Sequence, residues 1–344
     1  MRKFLLILLL CVGVFAKPNV YILATGGTIA GVAKSNTDKE YKAGTIGVEQ
    51  LISAVPEMKN LANVKGEQFI NIPSTNMNPE IWLNLSKRVN TLLSRDDVDG
   101  IVITHGTDTM EETAYFLNLT IKSKKPVVLV GAMRPATAMS ADGVLNLYNA
   151  VGVASDKNSF ARGVMVVMNN EIHQARDVTK TNTSDVATFK SLNFGKIGSV
   201  NYAKVEFTSE FNKKHTINSD FDIMKLDKLP QVDIIYAYAG DSDKFIKTAI
   251  DSGSKGIILA GMGNGNPSKI VWDALAKASK NAIAVVRSSR VGSGSTSQNS
   301  VIDDKKFNFI TADNLNPQKA RVLLMLALSK TQNTNEIQKI FDTH

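Results

Sequence analysis

Two short segments hold the side chains best suited to chemistry. Thr25-Gly26-Gly27-Thr28-Ile29-Ala30-Gly31 lies near the start, and Thr104-His105-Gly106-Thr107-Asp108-Thr109 comes further on. A threonine hydroxyl is a weak nucleophile until a neighbouring base, charge or dipole activates it. Two of them, one followed directly by an aspartate, point to acyl-transfer chemistry. Each segment follows a short apolar run, Val20 to Ala24 and Ile101 to Ile103, that reads as a buried strand. In an open α/β sheet, ligands bind at the carboxyl ends of such strands. Each also has a plainer reading, Thr28 as a helix N-cap and Thr107-Asp108 as a capped helix start. Lys180, in Arg176-Asp177-Val178-Thr179-Lys180-Thr181-Asn182-Thr183, follows another strand and can reach the same sheet edge. Held near an aspartate and a threonine, a partly desolvated lysine could accept a proton; alone it would read as a solvated surface residue.

Other chemistries lack their signatures. Gly26-Gly27 matches neither the dinucleotide fingerprint nor the nucleotide P-loop, since the glycine spacing is wrong and no lysine follows Gly31. His105 stands two residues before Thr107 but reads equally well as a packed residue. His173 and His215 lack ligand-spaced partners, and no HExxH, cysteine pair or dense carboxylate loop argues for a metal. Gly292-Ser293-Gly294-Ser295-Thr296 fails as a Gly-x-Ser-x-Gly nucleophile elbow and reads as a loop.

The elements that must place these residues alternate in an α/β series. Apolar runs predict parallel strands over Asn19–Ala24, Gly100–Thr104, Pro126–Gly131 and Gly163–Met168. Asn78-Pro79 predicts an N-cap and first helical residue, with Ile81, Trp82, Leu85, Val89, Leu92 and Leu93 on one face. Thr109 and Glu112 have capping-box spacing for a second helix towards Ile121, which puts Thr107 and Asp108 at a strand–helix junction. A third helix is expected over Ala141 to Ala154, with Leu145, Tyr148 and Val151 inward. The polar stretch from Glu206 to Lys228 reads as a connection. Beyond it come strands Val232–Tyr238, Gly256–Ala260 and Ala282–Arg287 and helices Asp243–Ser252, Ser268–Ser279, Pro317–Ser329 and Asn335–Phe341. The expected fold is α/β with two domains: a larger N-terminal doubly wound, mainly parallel sheet over 17–205 and a smaller C-terminal α/β domain over 231–344, joined by 206–230. The gap from Thr28 to Val48 has no apolar periodicity and suits a lid over a nucleophile.

The chain has 344 residues, 43% hydrophobic and 21% charged, enough for two ordinary cores. Arg2 and Lys3 precede an apolar run from Phe4 to Phe15, and Ala16 closes a small-residue cleavage pattern, so 1–16 reads as a signal peptide and export to the periplasm is expected. The single cysteine, Cys11, lies in that leader, leaving the mature chain neither a disulfide nor a thiol nucleophile. Removing Arg2 and Lys3 lowers the formal charge from +8 to +6. The basic residues are scattered without an aromatic-interleaved stripe, which argues against nucleic-acid binding. No second apolar span follows the leader, so no membrane association is expected once it is cut.

Together the motifs resemble those of bacterial type II L-asparaginases. The resemblance rests on Ala24 to Gly31, on Ile103 to Ala114, and on Gly131-Ala132-Met133-Arg134-Pro135, Asp177 to Asn182, Gly263-Asn264-Gly265-Asn266 and Val286 to Arg290, in this order along nearly the whole mature chain. It implies hydrolysis of L-asparagine to L-aspartate and ammonia through an acyl-threonine, without metal or cofactor, and weaker action on L-glutamine. By position, Thr28 is then the nucleophile, Tyr41 its activating neighbour, and Thr107, Asp108 and Lys180 a second triad. Ser74 and Asp108 would hold the substrate's α-carboxylate and α-amino groups, and Asn266 would complete a neighbouring subunit's site in a homotetramer. Two positions depart from the family pattern: Thr75 stands where a glutamine is usual, and Val301 where a glutamate supports the tyrosine, with Asn299 or Ser300 as replacements. A broad glutaminase-asparaginase and an amino-acid-binding protein that has lost turnover are the other readings.

Overall fold

A computed structural model of the chain describes residues 16–38, 40–210 and 212–344. The leader and Cys11 lie outside these, apart from Ala16. The first half runs through strands β1 (Asn19–Gly26), β2 (Val32–Ala33), β3 (Tyr41–Lys42), β4 (Asn63–Ile72), β5 (Gly100–Thr104), β6 (Val127–Val130), β7 (Val164–Met168), β8 (Glu171–Gln174), β9 (Val178–Lys180), β10 (Phe189–Ser191), β11 (Gly198–Asn201) and β12 (Lys204–Phe207). Helices α1 (Val48–Ser53), α2 (Pro79–Leu93), α3 (Met110–Thr120) and α4 (Gly143–Ser155) alternate with them.

Eight of these strands form one sheet in the order β12-β11-β8-β7-β6-β5-β1-β4. The run β4-β1-β5-β6-β7 is parallel; the rest is antiparallel. Alternate residues of β1 serve opposite faces, as strand geometry requires. Val20, Ile22 and Ala24 join a core with Leu51 of α1 and Leu147 of α4, while Tyr21 and Leu23 join another with Leu85 of α2 and Ala114 of α3. Helices therefore cover both faces, which is why these strands are apolar throughout. The chain places β4 on one side of β1 and β5 on the other, so the strand order reverses at β1. That reversal opens a crevice outside the carboxyl ends of β1 and β5.

The second half forms the parallel sheet β13 (Val232–Tyr236), β14 (Gly256–Gly261), β15 (Ala284–Ser289) and β16 (Phe309–Thr311). Helices α5 (Lys244–Asp251), α6 (Lys269–Lys280), α7 (Asp304–Phe307), α8 (Pro317–Leu328) and α9 (Thr334–Thr343) accompany it. Trp82 and Phe116 of the large domain, their rings stacked with centroids 5.6 Å apart, share a core with Val322, Leu323 and Leu326 of α8. The two-domain α/β architecture thus has a common apolar seam.

Three local expectations are corrected. The predicted capping box of α3 does not form: the Thr109 hydroxyl donates to the Ser74 carbonyl at 2.7 Å, a tertiary partner that displaces the local one. Glu206 and Phe207, read as connection, end β12, and Phe221 and Ile223 within the same stretch are buried. In α4, Val151 is buried and Tyr148 packs against the same core as expected, but Leu147 rather than Leu145 is the buried leucine. By contrast, Asn78 caps α2 as anticipated, accepting from the Ile81 amide at 3.0 Å with Pro79 at the first position.

Gly27 joins sheet to site. Its φ of 83° and ψ of −173° fall in a region open to glycine almost alone, and a Cβ there would lie 2.4 Å from the Gly106 amide nitrogen. Gly27→Ala is expected to lower the unfolding free energy by about 3 kcal/mol through strain and overpacking together. Urea denaturation with an unchanged midpoint would contradict this.

Candidate active site

Ala24 pairs with Thr104 across β1 and β5, so the chain leaves the two strands side by side. The buried Thr25 hydroxyl donates to the Thr104 carbonyl at 2.8 Å and ties the exits together. Thr28 then begins a single helical turn, Thr28–Ala30, whose N-cap is Gly27. The N-cap reading of Thr28 is therefore displaced. Its side chain, only 8% exposed, instead shares a hydrogen bond with the Tyr41 hydroxyl at 2.7 Å.

Tyr41 reaches Thr28 because the segment after it is a small hairpin and not an irregular loop. Strands β2 and β3 pair Ala33 with Tyr41, and the Ala33 amide donates to Thr137 Oγ1 at 2.9 Å. The tyrosine ring passes so close to Gly31 that a Cβ there would sit 2.7 Å from Cδ2. Any larger residue at 31 would push the ring, and with it the hydroxyl, away from Thr28.

The second cluster follows β5. Lys180 Nζ donates to Thr107 Oγ1 at 2.9 Å and to Asp108 Oδ1 at 2.6 Å. Thr107 is buried, the Lys180 side chain is 18% exposed, and that of Asp108 is 57% exposed. The Asp108 amide donates to Ser74 Oγ at 3.2 Å, so Ser74, itself buried, stands beside the aspartate. Thr75 is exposed in the same short turn, Ser74–Asn76. A cavity of about 440 Å³ opens next to Asp108 and Lys180, bounded also by Glu112 and Thr181. Burial pushes the Glu112 carboxyl up to about 7.

Other expected residues stand apart from these clusters. Asn266 pairs with Met262 in the turn after β14, and its Oδ1 is buried with no hydrogen-bond partner among the described residues. Val301 is 63% exposed on the loop after β15. Among the described residues, no hydrogen bond joins Asn266, Asn299, Ser300 or Val301 to Thr28, Tyr41, Thr107 or Lys180. Both loops are set by Arg287. Its fully buried guanidinium meets the Asp304 carboxylate through two bonds of 2.7 Å and donates to the carbonyls of Asn264 at 2.9 Å and Ser297 at 3.0 Å. Arg287 belongs to the Val286 to Arg290 motif, but its role is not legible there because its partners lie on separate loops.

His105 is a packed residue, in keeping with the plainer of its two readings. It is wholly buried, Nδ1 lies 2.6 Å from the Gly106 carbonyl, and Nε2 has no partner. Burial drives its pKa down to about 4, and His173 and His344 move the same way for the same reason. The unfolded chain takes up these protons near pH 6.5, whereas the folded chain resists until about pH 4. Their contribution is thus complete above pH 6.5 and lost as the pH falls towards 4, at up to about 1.4 kcal/mol per pH unit for each group. Urea unfolding should show lower stability at pH 5 than at pH 7; equal stability would contradict the buried neutral histidines.

Comparison with known proteins matches both halves of the chain. Residues 19–213 fit the family described as Asparaginase, N-terminal, and residues 231–341 fit the Glutaminase/Asparaginase C-terminal domain. The chain is 56% identical to L-asparaginase 2 of Escherichia coli, over 96% of this chain and 94% of that protein. It is 55% identical to a probable periplasmic L-asparaginase of Haemophilus influenzae, over 94% and 93%. Against a glutaminase-asparaginase of Pseudomonas fluorescens the figure is 49%, over 94% and 90%. Among the described residues, no helix is long and apolar enough to cross a membrane, and no three acidic, histidine or cysteine side chains cluster as metal ligands. With both family regions matched in order and more than half of its residues identical to those of two such relatives, the chain belongs to the asparaginase family.

Proposed function

We propose that the chain hydrolyses the side-chain amide of L-asparagine to L-aspartate and ammonia, with weaker action on L-glutamine. The observation that carries this is the 2.7 Å contact between the Thr28 and Tyr41 hydroxyls beside the Lys180–Thr107–Asp108 set, in a chain of this family. Thr28 Oγ1 attacks the amide carbon, and its proton passes through the Tyr41 oxygen to the departing nitrogen. The C–N bond breaks, ammonia leaves and an ester of Thr28 remains. Water then adds to that ester, Thr28 recovers its proton, and aspartate is released.

The remaining groups have directions set by their hydrogen bonds. Lys180 donates to Thr107 Oγ1, so the Thr107 hydroxyl proton is aimed elsewhere and can meet the oxygen on which charge develops. The nearby ammonium strengthens that donor. Asp108 Oδ1 takes Lys180, which leaves Oδ2 for the substrate's α-ammonium. Ser74 Oγ accepts from the Asp108 amide and keeps its own proton for the α-carboxylate. Fixing the zwitterionic head in this way orients the amide against Thr28. The presence of Thr28, Thr107, Asp108 and Lys180 together speaks against a binder without turnover. Thr75, shorter than the usual glutamine and exposed, favours asparagine over a broad glutaminase.

The same reading includes a leader over 1–16, export to the periplasm, division of the mature chain at the connection read over 206–230, whose first two residues end β12, and a homotetramer in which Asn266 completes a neighbour's site. The Asn266 Oδ1 that lacks a partner among the described residues suits that role. Thr28→Ala should reduce ammonia release from asparagine at least about a thousandfold, and Tyr41→Phe by about ten- to a hundredfold through kcat. Wild-type activity in Thr28→Ala would remove the nucleophile assignment. Mixing and reassembling Thr28→Ala and Asn266→Ala subunits should restore part of the activity that neither has alone; no recovery in a mixed tetramer would contradict site sharing.

A further inference from the structure

We infer that Glu111 is the positioning residue for Lys180 and that it links this lysine to the second domain. The inference rests on the proposed role of Lys180 and adds the means of its placement.

Strand β9 carries Lys180 but pairs only with β10 in a two-stranded ribbon outside the large sheet. The sheet therefore does not fix the lysine's backbone, and side chains from two helices do so instead. Glu111, in the first turn of α3, is 4% exposed. Its Oε2 accepts from the Thr179 hydroxyl at 2.6 Å and from the Lys180 amide at 2.8 Å. Its Oε1 accepts from Asn316 Nδ2 at 2.8 Å and from Gln318 Nε2 at 2.7 Å, at the start of α8. An ionised carboxylate is an acceptor with about four lone-pair sites, and here each finds one donor. Lys319, fully buried next to Gln318, donates Nζ to the Arg176 carbonyl at 3.0 Å and also to the Val178 carbonyl. The same short turn of α8 thus grips β9 directly and through Glu111.

One segment consequently holds Lys180 at both ends. Asp108 takes the ammonium, and Glu111, three residues on, takes the backbone amide. A lysine side chain has many rotamers to lose, so placing Nζ on both Thr107 and Asp108 requires a fixed origin for the stem. Without the Glu111 carboxylate, the Lys180 amide and three further half-buried donors lose their acceptor, and donors left unsatisfied draw the backbone to other partners. Glutamine at this position keeps one oxygen for the Lys180 amide. Its own NH2 can then face Gln318, whose amide can turn to accept, while Asn316 keeps its Oδ1 on the Lys319 amide at the start of α8.

The test compares Glu111→Gln and Glu111→Ala with wild type, as full-length folded protein well below each unfolding midpoint. Asparagine turnover should fall about a hundredfold in kcat for alanine and no more than about threefold for glutamine, with KM within about twofold. Glu111→Ala crystals should show Lys180 Nζ displaced from Thr107 Oγ1, and Glu111→Gln crystals should keep that contact. A purely structural role would lower the melting temperatures and leave kcat per folded molecule unchanged, which would overturn the inference. Lys180 Nζ still within hydrogen-bond distance of Thr107 and Asp108 in Glu111→Ala would overturn it as well, whether or not the wild type hydrolyses asparagine. If the alanine variant does not fold, Gln318→Ala serves in its place: a moved Lys180 supports the link to α8, and an unmoved one removes it. Failure of wild type to release ammonia would count against the proposed function alone, because the crystal comparison decides the positioning independently.

Discussion

The close approach of two backbones, Gly27 against Gly106, is the constraint on which the site depends. These glycines follow the neighbouring strands β1 and β5, at the place where the strand order reverses. Their contact, with the Thr25–Thr104 hydrogen bond beneath it, brings two threonine segments from separate parts of the chain to one crevice. A side chain on Gly27 would separate them. Everything downstream inherits this geometry: the Thr28 turn, the hairpin that returns Tyr41, and the Thr107-Asp108 pair that meets Lys180.

The molecule divides its labour between a sheet that sets positions coarsely and polar contacts that set them finely. Parallel strands covered on both faces are stiff, and they bring residues to an edge. They do not aim a hydroxyl or an ammonium. That task falls to groups such as Thr137, which holds the hairpin, and Glu111, which holds the Lys180 backbone. Arg287 does the same for the two loops of the second domain that carry Asn266 and Val301. Buried charges of this kind are costly unless their donors and acceptors are matched; the Glu111 oxygens take four donors, and Arg287 makes four hydrogen bonds.

Much of this was legible in the sequence because contiguous apolar runs and local signals act over short range. Strands β1, β5, β6 and β7 announce themselves by unbroken apolar residues, and α2 by Asn78-Pro79. Strand β4, Asn-Val-Lys-Gly-Glu-Gln-Phe-Ile-Asn-Ile, did not, because an edge strand is half exposed and its polar residues break the run. The β2–β3 hairpin has strands of two residues, too short for any periodicity. Thr109 and Glu112 had the right spacing for a capping box, yet Ser74, distant in sequence, took the threonine hydroxyl. Glu111 looked like an ordinary acid in a first helical turn; its function is set by Lys180, Asn316 and Gln318, which no local pattern connects to it. Local chemistry was readable where neighbours in sequence decide it, and unreadable where partners come from other elements.

The central claim is that one threonine of the two, Thr28, becomes covalently attached to the substrate. Its most direct test is to quench the enzyme with acid during turnover of L-asparagine, digest it, and locate the aspartyl ester by mass spectrometry. The account predicts the adduct on the peptide containing Thr28 and none on that containing Thr107. An adduct on Thr107, or steady turnover with no adduct on either under conditions that preserve such esters, would contradict it.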